Sequence, residues 1–203
     1  MPDIEVVHDL LEFDLEQTGS HQGPIPVLTS PPEKTWIWSD LHLADRGALF
    51  AFDRPFHDVE RMNRHLLREW TRRVRSDDTI ICLGDVAHPD AWDDRRLVLD
   101  IRNCPGERVL ILGNHDRNRD ALRAAGFTTQ YSLAVCATDP PLVLSHYPLH
   151  HLPAGAMNVH GHLHNRFEPT AWHINLAVEG TGYSPVGLVW VLDKARRRHA
   201  TVS

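Results

Sequence analysis

Five short stretches carry, in order, side chains of the kinds that hold metal ions: Asp40-Leu41-His42, Gly84-Asp85-Val86, Gly113-Asn114-His115-Asp116, Ser145-His146-Tyr147 and Gly161-His162-Leu163-His164. Carboxylate, imidazole and amide oxygen are donors that suit divalent first-row cations. A carboxylate such as Asp85 has two oxygens and can bridge two cations, which one imidazole cannot. Asp40 and His42 stand two residues apart, as do His162 and His164. Read as extended segments, each pair points one way and can reach a single ion. Alone, each stretch has a plainer reading, since Asp-x-His and His-x-His occur on many surfaces and Gly-Asp after a strand is commonly a turn. Their joint occurrence, mostly just after apolar runs, predicts a metal centre.

The elements that must position these donors read as strands over residues 35–39, 79–83, 108–112, 142–145, 157–160, 174–178 and 188–192. Between the early strands lie helical patterns. In residues 59–74, Val59, Met62, Leu66, Leu67, Trp70 and Val74 recur at the three-and-four spacing of a buried stripe. Arg61, Arg64, Arg68, Arg72 and Arg75 fall on the other face, which reads as solvated. Residues 90–101 and 118–125 predict shorter helices, the second closed by Gly126. Strand–helix alternation followed mostly by strands predicts an α/β domain over residues 34–203, with helices flanking a central pair of sheets. Ligands bind at the carboxyl ends of strands in such folds. Residues 1–33 read as an arm: six acids fall in the first sixteen positions, and Pro24, Pro26, Pro31 and Pro32 break any regular element. The sequence leaves open whether this arm adds an edge strand or makes a homodimer contact.

A chain of 203 residues is long enough for one domain with a real core. Its formal charge of −6 argues against tight binding to long nucleic acids. Fifteen histidines are an excess that suits metal ligation. Cys82, Cys104 and Cys136 are widely spaced and odd in number, so no disulfide framework is expected and a reducing cytoplasm is the natural compartment. No signal peptide is visible, and no apolar run approaches the ~20 residues needed to cross a bilayer, so no membrane partner is expected.

Taken as a set, the five stretches resemble the signature of the calcineurin-like metallophosphoesterase superfamily, from residue 35 to about residue 192. Phe52-Asp53-Arg54-Pro55-Phe56, Met62-Asn63 and the stretch from Val178-Glu179 to Pro185-Val186 are similar to a compact bacterial subgroup of it. The resemblance implies a four-layer α/β/β/α sandwich of two mixed sheets flanked by helices. It implies that Asp40, His42, Asp85 and His164 hold one divalent ion, and that Asp85, Asn114, His146 and His162 hold a second. Mn²⁺ is the first candidate, with Fe²⁺, Zn²⁺ or Co²⁺ as alternatives.

The implied chemistry is hydrolysis of a small or nucleotide-like phosphodiester or phosphomonoester by hydroxide, the cations activating water and binding phosphate oxygens. His115 is the candidate acid for the leaving oxygen, and Asp116 is expected to orient His115 or to cap the following helix. Arg54 and Arg117 could grip phosphate oxygens. His150 and His151 are candidates for the rim of the substrate pocket, and His88 for a support near Asp85. Asp85 is followed by Val86-Ala87-His88-Pro89, without the Arg-Gly pair expected of a serine/threonine protein phosphatase. A repair-type nuclease would carry an added DNA-binding region, and none is evident. An idle scaffold for protein partners remains the alternative from another class, and the complete donor set argues against it.

Overall fold

A computed structural model of the protein describes residues 25–166, 168 and 170–202. Most of the arm, with His8 and His21, lies outside the described residues. In chain order the first elements are β1 (Val27–Leu28), β2 (Thr35–Trp38), helix α1 (Arg46–Ala51), helix α2 (Val59–Arg73), β3 (Thr79–Cys82), helix α3 (Arg95–Arg102) and β4 (Glu107–Ile111). Helix α4 (Arg119–Ala124), β5 (Thr129–Tyr131), β6 (Leu133–Cys136), β7 (Leu142–Ser145), β8 (Met157–His160), β9 (His173–Asn175), β10 (Val186–Gly187) and helix α5 (Leu188–Val202) follow.

The strands form two mixed sheets. One has the order β10-β2-β3-β4-β5, parallel apart from β10, and the other the order β1-β6-β7-β8-β9, with β6 antiparallel to β7. The fold is α/β, two mixed sheets flanked by helices, as expected. Val27 and Leu28 of the arm pair in parallel with Val135 and Cys136, adding an edge strand.

Side-chain alternation builds the layers. Ile37, Ile81, Leu83, Val109 and Ile111 face the second sheet and meet Ala134, Leu142, Leu144, Met157, Val159 and Ile174. Their neighbours in sequence, Trp38, Ile80, Cys82 and Leu110, point the other way into a cluster with Met62, Leu66 and Trp70 of α2 and with Leu97, Ile101 and Leu122 of α3 and α4. This is the period of two that pleated strands impose. Trp38 and Trp70 meet edge-on with centroids 5.5 Å apart, a contact worth about 0.5–1.5 kcal/mol beyond its buried area. Asp58 caps α2 by accepting from Arg61 N, and the five arginines expected on its solvent side are exposed.

Several elements differ from expectation. Residues 188–192 were expected to be a strand but open α5. Leu188, Val191, Leu192 and Ala195 are buried together against the inter-sheet core, a helical spacing that outweighs the β-propensity of Leu188-Val189-Trp190-Val191. The helix expected over 90–101 is divided at Asp94, which ends a 3₁₀ turn (Pro89–Asp93) and caps α3 through Arg96 N. Strands β5 and β6 were not expected. Among the described residues no helix is long and apolar enough to cross a membrane.

Candidate metal centre

The donors of the five stretches meet where β2, β3, β4, β7 and β8 end. Backbone bonds zip these ends together: Asp40 N donates to Gly84 O and His42 N to Asp85 O, each at 3.0 Å, and Gly161 N donates to His146 O at 3.0 Å. The segments are not extended, contrary to the reading of the two-residue spacings. Asp40, His42, Asp85, His162 and His164 all have left-handed backbone, with φ of 59°, 48°, 56°, 66° and 52°. Asp and His tolerate this region better than most side chains, yet five such turns among seven donors store strain of roughly 1 kcal/mol or more each. Strain of this kind concentrates at functional sites.

Gly84 and Gly113 allow the approach. Gly84 has φ 98°, and a Cβ there would lie 2.5 Å from His146 Nδ1 and 2.7 Å from Gly113 N. A Cβ on Gly113 would lie 2.7 Å from Asp85 N and strike the Asp85 carboxylate.

Two groups of ligand atoms lie close enough to share an ion: Asp40 with His42 and His164, and Asp40 with Asp85 and His146, all of them buried. Asp85 Oδ2 stands between the groups, 3.7 Å from His42 Nε2 and 3.4 Å from His146 Nε2. Asn114 Oδ1 lies 3.1 Å from His146 Nε2, and the His162 ring lies 5.1 Å from that of His146, so both lie beside the second group.

Each buried imidazole is oriented from behind. His42 Nδ1 donates to Asp45 Oδ2 at 3.0 Å, His146 Nδ1 to Leu83 O at 2.8 Å, and His164 Nδ1 to Glu179 Oε1 at 3.1 Å. That leaves each Nε2 with its lone pair facing the centre, the usual support of metal-binding histidines. His42 Nε2 is buried with no hydrogen-bond partner among the described residues. His146 Nε2 faces the acceptors Asn114 Oδ1 and Asp85 Oδ2, and lone pairs facing one another so closely require a positive charge between them. A divalent cation meets that need, and so does a proton. Burial opposes charge on His146, but bonding to Asp85 and the nearby Asp40 charge outweigh it and raise its pKa to about 9. Burial likewise opposes charge on Asp85, while His146 and the His115 N–H hold its carboxyl below the usual carboxylate range. The donor set therefore fits divalent cations.

The sequence profile of the calcineurin-like phosphoesterase family matches residues 33–177, which include all seven donors. This chain belongs to the calcineurin-like phosphoesterase family. An uncharacterized protein of Methanocaldococcus jannaschii is 29% identical over 163 residues, 76% of this chain and 87% of its own. The gene 66 protein of Mycobacterium phage L5 is 35% identical over 96 residues, spanning 45% of this chain and 46% of the phage protein. A solved structure of a protein of unknown function from Aquifex aeolicus shares the fold, with a TM-score of 0.65 and 21% identity over 78% of this chain and 97% of its own.

Around this calcineurin-like centre the other candidate residues take varied places. His115 is half-buried beside the donors: its N–H donates to Asp85 Oδ1 at 2.9 Å and its ring meets that of His42 edge-on at 5.1 Å. Asp116 is a correction. It was expected to orient the His115 ring or cap the next helix. Instead its buried carboxylate accepts from the N–H groups of Asp85 (2.7 Å), Gly113 (2.9 Å) and Val86 (3.1 Å), and Asn118 caps α4. Three backbone donors outcompete one half-buried ring for the carboxylate, which thereby ties two donor loops together.

Arg54 is a second correction. Its guanidinium is fully buried and turned inward, bonded to Glu179 and to the Asp40 and Leu41 carbonyls, and none of it reaches the surface where a phosphate would sit. Arg117 is exposed and donates through Nε to Asn114 O at 3.2 Å, close to the centre. His150 is exposed and lines a separate cavity of about 290 Å³ with Leu152, Trp172 and His173, among whose described lining residues none is a donor. His151 is exposed. His88 accepts from Asp90 N at the start of the 3₁₀ turn.

Sequence reasoning passed over several supports. Asp45 sits three residues after His42, and a carboxylate at that distance in a tight turn is a usable signal. Phe52 stacks on His164 with centroids 3.4 Å apart, and Asn63 Oδ1 accepts from Ala44 N. Tyr147, 47% exposed, donates to Asn114 Oδ1 at 3.1 Å and packs 4.3 Å from the His162 ring. Phe52, Arg54, Asn63 and Glu179 all fall in the stretches that resemble the bacterial subgroup.

Proposed function

We propose that this protein is a two-metal hydrolase of phosphoric esters, acting on small or nucleotide-like phosphodiesters or phosphomonoesters. The observation that carries this reading is His42 Nε2, which has no hydrogen-bond partner among the described residues and is buried within one of two adjoining donor groups that share Asp40. Bound cations would supply Lewis-acid charge at the phosphate oxygens and make water acidic enough to react near neutral pH. Asp40, His42 and His164 would hold one ion, Asn114, His146 and His162 the other, with Asp85 between them.

The chain's own part in the chemistry falls to residues at the open side of the centre. His115 would give a proton to the leaving oxygen, since it is half-buried next to Asp85 and tethered there through its backbone. Arg117, exposed and anchored to Asn114 O, would steady a non-reacting phosphate oxygen through its free nitrogens. Asp116 would fix the distance between the Asp85 and Asn114 loops.

The test is direct. Purified protein loaded with Mn²⁺ should hydrolyse bis(p-nitrophenyl) phosphate or p-nitrophenyl phosphate and lose that activity on chelation. No turnover of either ester with Mn²⁺, Fe²⁺, Zn²⁺ or Co²⁺ would instead favour an idle scaffold.

A further inference from the structure

Arg54 and Glu179 form an ion pair inside the molecule, 125 residues apart in sequence, with side chains 0% and 5% exposed. Glu179 Oε1 accepts from Arg54 Nε at 2.9 Å, lies 2.8 Å from Arg54 Nη2, and takes the His164 Nδ1–H at 3.1 Å. On its other side Arg54 donates through Nη1 to Leu41 O and through Nη2 to Asp40 O, each at 2.7 Å. Those carbonyls belong to the loop whose Asp40 and His42 adopt left-handed backbone. A single buried pair therefore grips one donor loop by its backbone and another by its imidazole.

Stability alone does not account for the arrangement. A buried ion pair is at best weakly stabilising, and Glu179 Oε2 is left buried without a hydrogen-bond partner among the described residues, which costs free energy. The pair's contacts are also one-sided. They reach Asp40, Leu41 and His164, whereas His146 is oriented by Leu83 O and Asn114 by the Tyr147 hydroxyl.

We propose that Arg54 and Glu179 are positioning residues for one of the two metal positions. They clamp the Asp40–His42 loop against His164 and so set chiefly the affinity of that position; the other shares only the Asp40 carboxylate, while the pair holds Asp40 by its backbone carbonyl, so it changes less. The inference rests on the two-metal reading above.

Two variants of the full chain test it: Glu179→Gln, and Arg54→Met combined with Glu179→Gln, which leaves no buried charge unpaired if the single variant fails to fold. Melting in chelator establishes folding, and Mn²⁺ titration followed by electron paramagnetic resonance counts and distinguishes the ions. The wild type should bind two ions. In a folded variant one ion should bind about 10–100-fold more weakly, as when the outer support of a ligand is lost. The other should shift far less, so that a single uncoupled Mn²⁺ signal dominates at intermediate loading. Unchanged affinity for both ions in a folded variant, or equal weakening of both, would overturn the clamp while leaving the two-metal reading intact. A wild type that bound no ion would overturn both.

Discussion

At the residue scale, His115 and His146 make separable demands. His115 contributes its backbone N–H to Asp85 and keeps its ring half-buried at the open side, so the ring can be removed while the bond to Asp85 stays. His115→Ala should therefore retain metal, by elemental analysis, while kcat falls roughly 10²–10⁴-fold, the usual range for a lost acid. Wild-type rates on esters with poor leaving groups would refute that role. His146 should make metal uptake pH-dependent. Its pKa is raised to about 9, so below that pH a cation must displace its proton. The affinity of that position should thus climb about tenfold per pH unit from pH 7 toward 9 and then level off. Calorimetry in buffers of different ionisation enthalpy should register close to one proton released at pH 7. No buffer dependence would mean that His146 is already neutral.

At the scale of elements, the sequence was readable wherever one period governed one segment. Residues 59–74 repeat at helical spacing and form α2, and the apolar runs before the donors form β2, β3, β4, β7 and β8 within a residue at either end. The errors arose where two signals shared a segment. Residues 188–192 combine β-favouring types with the helical spacing of Leu188, Val191, Leu192 and Ala195, and burial against the inter-sheet core selects the helix. At the site, residue types and order pointed to the donors, but backbone conformation could not be read. The two-residue spacings suggested extended pairs, whereas contacts across the loops hold left-handed turns. Asp116 and Arg54 misled for the same reason, because most of their partners lie in other loops, invisible to local pattern. The loop packing yields its own prediction. Gly113→Ala places a methyl against the Asp85 carboxylate and 2.7 Å from Asp85 N. The variant should keep its helix content by circular dichroism while Mn²⁺ affinity falls about 10–100-fold. Wild-type affinity would show that the Asp85 loop yields more readily than its bonds to Asp116 imply.

At the scale of the whole molecule, the centre joins both sheets. Asp40, Asp85 and Asn114 follow strands of one, and His146, His162 and His164 follow strands of the other, so ions bound there bridge the two halves of the fold. The bridge should be visible as stability. An ion that binds only the folded state at a hundred times its dissociation constant adds about 2.7 kcal/mol. For a chain of this length each kcal/mol moves Tm by about 2–4 °C, so Mn²⁺ should raise Tm by about 5–11 °C per occupied position. Unfolding separates the sheets, and with them the donors, so the gain should appear as a delayed cooperative transition, not as a local change. Asp85→Ala removes the carboxylate between the two groups and should abolish most of the Mn²⁺-dependent rise, whatever its effect on the melting temperature in chelator. A calorimetric scan of both proteins with and without Mn²⁺ decides the matter. Equal metal-dependent shifts in wild type and variant would place the stabilising ion elsewhere and detach the strained donor turns from metal binding.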